Sequence, residues 1–270
     1  PGVANYYATS VADGFDFAHI LVKTREGRPI KIERNDLASN GGSVNARVHA
    51  SVLSLYDIKR LKSPKLNGEE ATWGGFDAAF MAKMDQFKGE DVVLLTQTFA
   101  SLTTTKLIKD FKAKYPNIRH VNYDTVSSSE ALDAFQTKYG TRALADYDLS
   151  KAEVIVSVGA DFIGDWQGGG FEGSYAKGRV PVEGKMSKHI QFEANMSLSG
   201  ANADVRFPAT PSEQRAILRA LTGGSSSGLS EKAASAVSAA KKHLKRAGNK
   251  GVILTGLPDV SAQTEELEYN

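Results

Sequence analysis

The sequence predicts an α/β fold built on a parallel sheet. Between residues 76 and 158, short runs of β-branched and other apolar residues alternate with helical stretches of ten or more residues. Such alternation is typical of βαβ units, in which each helix crosses over the sheet to reach the next parallel strand. With 270 residues and 41% hydrophobic composition, the chain is also long and apolar enough to bury a core.

Residues 1–66 predict a small β-rich unit before that sheet. Residues 18–23 and 29–33 are typical of short strands, and Glu26-Gly27 between them is typical of a hairpin turn. A second turn is expected at Asn40-Gly41-Gly42, followed by apolar residues at helical spacing over residues 45–55.

Residues 67–222 predict the parallel domain itself. Helices are expected over residues 76–87, 103–115, 129–139 and 212–221, and strands at residues 91–96, 118–123, 153–158 and 189–194. We expect these strands to be buried and covered on both faces, with a glycine-rich loop over residues 167–178. Residues 223–270 predict a linker, a helix over 230–246 and a strand at 251–255, which would start a further α/β unit.

Composition excludes several kinds of site. The chain has no cysteine, so it forms no disulfide, no cysteine-ligated zinc site and no iron–sulfur cluster of its own. Its 33 Lys and Arg nearly balance 31 Asp and Glu, and this bulk charge predicts neither a nucleic-acid partner nor an anionic membrane surface. No apolar run approaches the roughly 20 residues that span a bilayer. Partners therefore have to be inferred from local features.

The motifs of common cofactor and catalytic sites are not found either. No GxGxxG or GxxxxGK[ST] phosphate loop follows a predicted strand, no HExxH pair suggests zinc, and no GxSxG turn suggests a serine hydrolase. The five histidines are scattered, and those on or beside strands are expected to be structural. The sequence therefore predicts no catalytic and no metal-ligating residue.

Three loops nevertheless predict a binding pocket. Residues 96–101, 124–129 and 159–162 each follow a predicted strand and carry hydroxyls, a carboxylate or small side chains. The carboxyl ends of parallel strands meet at one edge of a sheet, where α/β proteins bind ligands. The same residue types are also preferred helix N-caps, so capping is the alternative interpretation for each loop.

Several phrases of the sequence occur in an order that is similar to a known family. After the opening PGVANYYATS they are EGRPIKIERN at 26–35, YDIKRLKSP at 56–64, SKAEVIVSVGAD at 150–161 and HIQFEANMSLSGANADVRFPATP at 189–211. In this order they resemble the N-terminal region of molybdopterin oxidoreductases, specifically of the large iron–sulfur subunit of bacterial alternative complex III. The resemblance spans nearly the whole chain.

The resemblance implies a Rossmann-like parallel sheet of the molybdopterin-oxidoreductase type, preceded in residues 1–66 by a counterpart of the family's iron–sulfur region. That counterpart has lost its cluster, because residues 6–10, 16–18 and 45–47 contain no cysteine where the family has its ligands. The resemblance also implies a vestigial pterin pocket formed by Thr96, Gln97, Thr98, Ser127, Ser128, Gly159, Asp161 and Glu193.

The function implied by the resemblance is that of a non-catalytic region of a periplasmic, quinol-oxidising respiratory complex, acting as scaffold and subunit-docking surface. The expected partners are cytochrome c-type and membrane-anchor subunits, which would hold the chain at the inner membrane without a span of its own. No cofactor is expected in this chain, since the iron–sulfur clusters would lie in a region downstream of Asn270 and molybdopterin is disfavoured.

Two alternatives stay open. In the first, the loops at residues 96–101, 127–129 and 159–162 bind a pterin cofactor, Ser127 or Ser128 ligates molybdenum, and the chain is an oxidoreductase. In the second, the chain is a stand-alone nucleotide-binding α/β domain.

Overall fold

A computed structural model of the chain describes residues 2–38, 44–168 and 170–270. Contacts divide it into two compact units, which we call unit 1 (Pro1–Thr125) and unit 2 (Val126–Asn270). Helices and parallel strands occur in both units, so the predicted α/β fold class is confirmed. The division at residue 125 does not coincide with the boundaries expected after residues 66 and 222.

Unit 1 begins with a three-stranded antiparallel sheet. Its strands are β1 (Asn5–Asp13), β2 (Asp16–Arg25) and β3 (Arg28–Arg34), in the order β1-β2-β3. Glu26 and Gly27 have φ of 50° and 75°, the left-handed backbone of a two-residue type I′ hairpin. The predicted hairpin is therefore confirmed, β1 is an addition to it, and the turn expected at residues 40–42 lies outside the described residues.

The rest of unit 1 carries a second, parallel pair of strands. In chain order its elements are α1 (Ala46–Ala50), a 3-10 helix (Ser51–Tyr56), β4 (Lys65–Leu66), β5 (Glu69–Glu70), α2 (Trp73–Gln86), β6 (Val92–Thr96), α3 (Leu102–Lys114) and β7 (Ile118–Asn122). β6 and β7 pair in parallel and form a sheet of two strands within the described residues. The predicted strands and helices of this region are present within a few residues.

The parallel pair is less covered than the sequence predicts. Val93 and Leu95 of β6 are 47% and 63% exposed, so the strand expected to be buried has one open face. The sequence predicts that Trp73 packs α2 against the sheet, but its side chain is 69% exposed and contacts Phe76 edge-on, so this expectation is wrong. A two-stranded sheet offers too little surface to bury the side chains on both of its faces.

Unit 2 is a βα layered domain. Its elements are α4 (Ser129–Tyr139), β8 (Val154–Val158), α5 (Glu172–Gly178), β9 (Lys188–Glu193), α6 (Leu198–Ala201), β10 (Val205–Pro208), α7 (Pro211–Leu221), α8 (Glu231–Ala247), β11 (Gly251–Thr255) and α9 (Val260–Tyr269). α5 occupies half of the predicted glycine-rich loop. None of the described helices, in either unit, has the length and apolar character needed to cross a bilayer.

The four strands of unit 2 form one parallel sheet in the order β10-β9-β8-β11. On one face, Val156 and Val158 pack with Ile217 of α7 and Val237 of α8. On the other face, Ile155 belongs to an aromatic cluster with Phe162, Trp166, Phe171 and Tyr175. This sheet is therefore covered on both faces, as predicted.

Two expectations about sheet membership are wrong. β11 pairs with β8, so residues 223–270 complete the sheet of unit 2 instead of starting a further α/β unit. Among the described residues, β6 and β7 pair only with each other, so the predicted strands do not share one sheet. Alternation of strands and helices indicates parallel pairing but does not say which strands are neighbours.

Candidate functional site

The strand order of unit 2 predicts that a binding site lies at the carboxyl ends of β8 and β11. β8 comes first in the unit, β9 and β10 are added on one side, and β11 returns to the other side. The order of strand addition therefore reverses between β8 and β11, and a crevice is expected at their carboxyl ends. Ligands of open α/β sheets bind at such a topological switch point.

Two glycines bring the loops after β8 and β11 together at this point. Gly159 has φ of +72°, and Gly256 donates its N–H to the Val158 carbonyl at 3.0 Å. A Cβ on Gly256 would lie 2.2 Å from the Gly159 carbonyl oxygen. The floor of the crevice is therefore backbone, and only glycine permits this approach at residue 256.

A small cavity lies beside these glycines, and we call it the switch-point cavity. It encloses about 130 Å³ and is lined by Val126, Ser127, Ser128, Glu130, Ala131, Asp165, Trp166, Gln167, Gly256, Leu257, Pro258 and Gln263. Trp166 Nε1 donates to the Thr255 carbonyl at 2.8 Å, and Gln263 Nε2 donates to the Leu257 carbonyl at 2.9 Å. The sequence leaves two interpretations of Trp166, a pocket residue or an interface residue, and in the structure it lines this cavity.

Two predicted residues, Ser127 and Ser128, line the switch-point cavity at the start of α4. The Ser127 hydroxyl accepts the Ser129 N–H at 3.0 Å and donates to the Ser129 hydroxyl at 2.7 Å. Ser128 stands at the N-cap position without a side-chain capping bond. The Ser127 hydroxyl thus serves the turn before the helix, whereas Ser128 is not used for capping.

Gln167 is a residue of the cavity that sequence reasoning missed. Its φ is 50°, a strained backbone for a side chain with a Cβ, and its Oε1 is buried without a hydrogen-bond partner among the residues that the structure describes. A buried carbonyl oxygen without a donor costs stability, so a hydrogen-bond donor that reached this atom would bind favourably. Nothing in the sequence singles it out except the glycines that follow it.

Asp161, predicted as a pocket residue, is engaged with the next loop of the sheet. Its Oδ1 accepts the Ser199 N–H at 2.8 Å, and the Ser199 hydroxyl in turn accepts the Ile163 N–H at 3.0 Å. A Cβ on Gly164 would lie 2.1 Å from Asp161 Oδ2. The carboxylate therefore fastens the β8 loop to α6.

Glu193, at the end of β9, is engaged even more fully. It accepts the Ser197 hydroxyl at 2.6 Å, Arg206 Nε at 2.6 Å and Gln191 Nε2 at 3.2 Å. Burial would raise the pKa of Glu193, but the hydrogen bonds from Ser197 and Arg206 outweigh it and lower that pKa. A Cβ on Gly200 would lie 1.7 Å from its Oε1, so the loop closes tightly over the carboxylate.

A line of buried polar side chains leads along β9 to Glu193. Tyr175 and His189 lie 3.1 Å apart at the hydroxyl and Nδ1, and His189 Nε2 lies 3.1 Å from Gln191 Oε1. The Gln191 amide nitrogen donates to Glu193, so its oxygen must accept from His189 Nε2. Burial lowers the pKa of His189 to about 4, which keeps the imidazole neutral and structural, as the sequence suggested for histidines on strands.

A buried acid lies behind the β11 loop and was not predicted. Glu266 of α9 accepts the Tyr147 hydroxyl at 2.8 Å and the Thr255 N–H at 2.6 Å. Burial raises the pKa of Glu266 to about 8, although both hydrogen bonds act in the opposite direction. The only sequence signal is an acid at a helical position between buried Gln263 and Leu267, which is ambiguous.

The remaining predicted residues, Thr96, Gln97 and Thr98, belong to unit 1. The Thr98 N–H and hydroxyl donate to Asp124 at 2.8 and 2.6 Å, and the Thr96 hydroxyl lies 2.8 Å from His120 Nε2. Gln97 Nε2 donates to Asp13 Oδ1 at 2.9 Å. These residues join the ends of β6 and β7 to each other and to the first hairpin.

The structure therefore divides the eight predicted pocket residues. Ser127 and Ser128 line one cavity, while Gly159, Asp161 and Glu193 lie in neighbouring loops of the same sheet. The three residues at 96–98 are in the other unit. No group of three or more His, Asp or Glu residues suited to a metal ion occurs within the described ranges.

No family model matches the chain, and no curated protein matches it. The family resemblance carried by the sequence phrases therefore stays a prediction.

Proposed function

We propose that the chain is a non-catalytic, molybdopterin-oxidoreductase-like region of a quinol-oxidising respiratory complex. In this role it is a scaffold on which other subunits dock. The main support for the proposal is that two carboxylates at the strand ends of unit 2 bind the protein's own loops. Asp161 accepts the Ser199 N–H, and Glu193 accepts hydrogen bonds from Ser197 and Arg206. Carboxylates with these partners stabilise the loops of the site, and this favours a structural role over cofactor binding.

The switch-point cavity gives a second line of support, because its size and charge do not fit a pterin dinucleotide. Pockets that hold ligands of that size measure about 300–1,000 Å³, whereas this one encloses about 130 Å³. Its described lining has two acids, Glu130 and Asp165, and no Lys, Arg or His to attract phosphate. We therefore derive no chemical step through a pterin or molybdenum in unit 2.

Apolar surface in unit 1 supports the docking part of the proposal. The open face of β6 exposes Val93 and Leu95, and Leu102 and Leu107 of α3 are also exposed. Parallel strands are normally covered on both faces, so this face is suited to burial against another subunit. The proposal includes cytochrome c-type and membrane-anchor subunits as partners at the periplasmic side of the inner membrane.

Metal and pterin analysis of the complex from the source organism tests the proposal. Inductively coupled plasma mass spectrometry is expected to find molybdenum and tungsten far below one atom per chain, and oxidative extraction is expected to yield no fluorescent pterin. The Ser127→Ala/Ser128→Ala variant is expected to keep the quinol oxidation rate of the complex. Stoichiometric molybdenum that disappears in this variant would contradict the proposal and favour a pterin-dependent oxidoreductase.

The strand order favours a nucleotide-binding domain as a second candidate function. The strands of unit 2 are added to the sheet in the order found in a mononucleotide-binding half of the Rossmann fold. The Ser127–Ser128 turn and Gly256 lie at its topological switch point. Bound ligand raises apparent stability by about 2.7 kcal/mol at a concentration 100 times its Kd. Thermal unfolding with millimolar ATP or NAD is the measurement, and an unchanged midpoint would count against this candidate.

A further inference from the structure

A large basic hollow lies at the opposite end of the sheet in unit 2, and we call it the basic basin. It encloses about 960 Å³ at the amino ends of β8, β9 and β11, between α5, α8 and the segment 179–187. None of the pocket residues predicted from the sequence lines this hollow. Its position at the amino ends of the strands separates it from the switch-point cavity.

The lining of the basic basin is strongly cationic. Five cationic side chains face one carboxylate, and these are Lys151, Lys177, Lys185, Arg246 and Lys250 against Glu153. Lys250 pairs with Glu153 at 2.7 Å and Lys151 with Asp148 at 3.2 Å. Lys177, Lys185 and Arg246 form no ion pair with any residue that the structure describes. The chain is nearly neutral overall, so this excess of positive charge is local.

His243 reports the same excess of positive charge. Burial, followed by the charges of Lys188 and Arg246, lowers the pKa of this histidine. Two cations, Lys188 and Arg246, therefore act on the imidazole at the wall of the basin in addition to its burial.

A buried hydroxyl in the basin lacks a hydrogen-bond partner. Ser187 is 4% exposed, lines the basin, and its Oγ has no partner among the described residues. A Cβ on Gly178 would lie 3.3 Å from this oxygen, so the glycine leaves room beside it. The hydroxyl is therefore a buried donor without a partner behind the wall of the basin, and such a group costs stability.

An apolar turn projects at the rim of the basin. Val182 and Lys185 exchange two backbone hydrogen bonds of 2.9 Å across Glu183 and Gly184, whose φ of 52° and 74° define a type I′ turn. Val180, Val182 and Met186 are 60%, 68% and 49% exposed. Glu183 is the single acid at the tip.

We propose that the basic basin and this turn form a docking surface for an anionic phospholipid bilayer. Lipid phosphates enter the basin and contact Lys177, Lys185 and Arg246, while Val180, Val182 and Met186 insert between the headgroups. A soluble acidic protein segment would explain the cations but not the exposed valines beside them, whereas a lipid interface explains both. Direct lipid contact goes beyond the proposed scaffold function and does not depend on it.

Flotation of the 270-residue chain with lipid vesicles tests the docking surface. We expect binding to vesicles of two parts phosphatidylcholine to one part phosphatidylglycerol, lost at high salt, and no binding to phosphatidylcholine alone. A lysine near an anionic surface contributes about fivefold in affinity, so Lys177→Gln/Lys185→Gln should bind about 25-fold more weakly. Val180→Ser/Val182→Ser should also bind more weakly while keeping the salt dependence.

The matched control is Lys109→Gln/Lys112→Gln on the exposed face of α3, which should bind like the unsubstituted chain. Circular dichroism establishes that each variant is folded. Equal binding to both vesicle types, or full binding by Lys177→Gln/Lys185→Gln, would overturn the proposal. Lysine-dependent binding of polyglutamate or of inorganic phosphate without vesicle binding would overturn it too, in favour of an acidic protein or a soluble anion.

Discussion

Glu266 is a buried acid whose neutral form is favoured inside unit 2. The side chain is 1% exposed, and its two oxygens accept from Tyr147 and the Thr255 amide. Because burial raises its pKa to about 8, the folded chain keeps this carboxyl protonated at neutral pH. The unfolded chain ionises it near the ordinary value of 4.5, so the residue links stability to pH.

The sign of this linkage gives a prediction for Glu266→Gln. Because the pKa of Glu266 is raised in the folded chain, this residue contributes its full stabilisation of the fold below pH 4.5. The contribution is lost as the pH rises from 4.5 to about 8. His189, with a pKa lowered to about 4, acts in the opposite direction only below pH 6.5. Between pH 6.5 and 8 we therefore expect the free energy of unfolding to fall, and Glu266→Gln to reduce the fall.

Urea denaturation of unit 2 at pH 6.5 and pH 8 measures this effect. The slope is on the order of 1.4 kcal/mol per pH unit for one proton, reached only while the folded carboxyl stays protonated. Glu268→Gln on the same helix replaces an exposed acid and is expected to leave the fall as it is in the unsubstituted chain. An equal fall in both variants would show that Glu266 is not responsible.

At the scale of elements, the sequence predicts the central strands better than the short connections. β8, β9, β11, α4, α7 and α8 lie within one or two residues of their predicted positions, because each has an apolar run or a regular periodicity between turn residues. α5, α6, β10 and α9 were missed. They are short, rich in glycine or strongly polar, and form because they pack on a sheet that already exists.

Candidate residues follow the same rule. Ser127 and Ser128 were predicted because they follow a strand and precede a helix, and they do line the cavity. Gly256 and Gln263 were not predicted, because their place at the cavity depends on the pairing of β11 with β8. The pattern of residues along the chain predicts single strands and helices but not which strands pair.

The two loops at the switch point give a prediction for Gly256→Ala. The added Cβ would meet the Gly159 carbonyl at 2.2 Å, and backbone on both sides leaves little freedom to move. We expect the variant to destabilise unit 2 by roughly 2–3 kcal/mol, as overpacked sites do. Urea denaturation is the measurement.

Gly74→Ala provides the control for this substitution. A Cβ there has no neighbour within 4 Å, and the residue lies in the first turn of α2. We expect the unfolding transition of unit 2 to be unchanged in this variant. If Gly256→Ala unfolds at the same urea concentration as the control, the close approach of the two loops is wrong.

At the scale of the whole molecule, the two units differ in how much apolar surface they bury. The fully buried cluster of unit 1 comprises Ala18, Ile20, Ile32 and Val48. Unit 2 has two extensive clusters, one on each face of its sheet. Burial of apolar side chains is the main favourable contribution to folding, so unit 2 is expected to be the more stable part.

Amide hydrogen exchange tests this difference. We expect the amides of β8 and β9 to exchange at least about tenfold more slowly than those of β1 to β3, which corresponds to a difference of about 1.4 kcal/mol in opening free energy. Mass spectrometry of peptic peptides resolves the two units. Equal protection throughout would mean that the units unfold together and that the larger core stabilises both.

The pairing of β8 with β11 also affects how the chain can fold during synthesis. Val158 and Thr255 are neighbours in the sheet, yet Thr255 is added to the chain 97 residues later. At ribosomal rates of about 5–20 residues per second, β8 waits roughly 5–20 seconds for its partner. Throughout that interval a strand with four apolar residues out of five presents an unpaired edge, the kind of edge on which nascent chains aggregate. We therefore expect the yield of native protein to depend on protection of β8, by the ribosome or a chaperone, until Thr255 has been made.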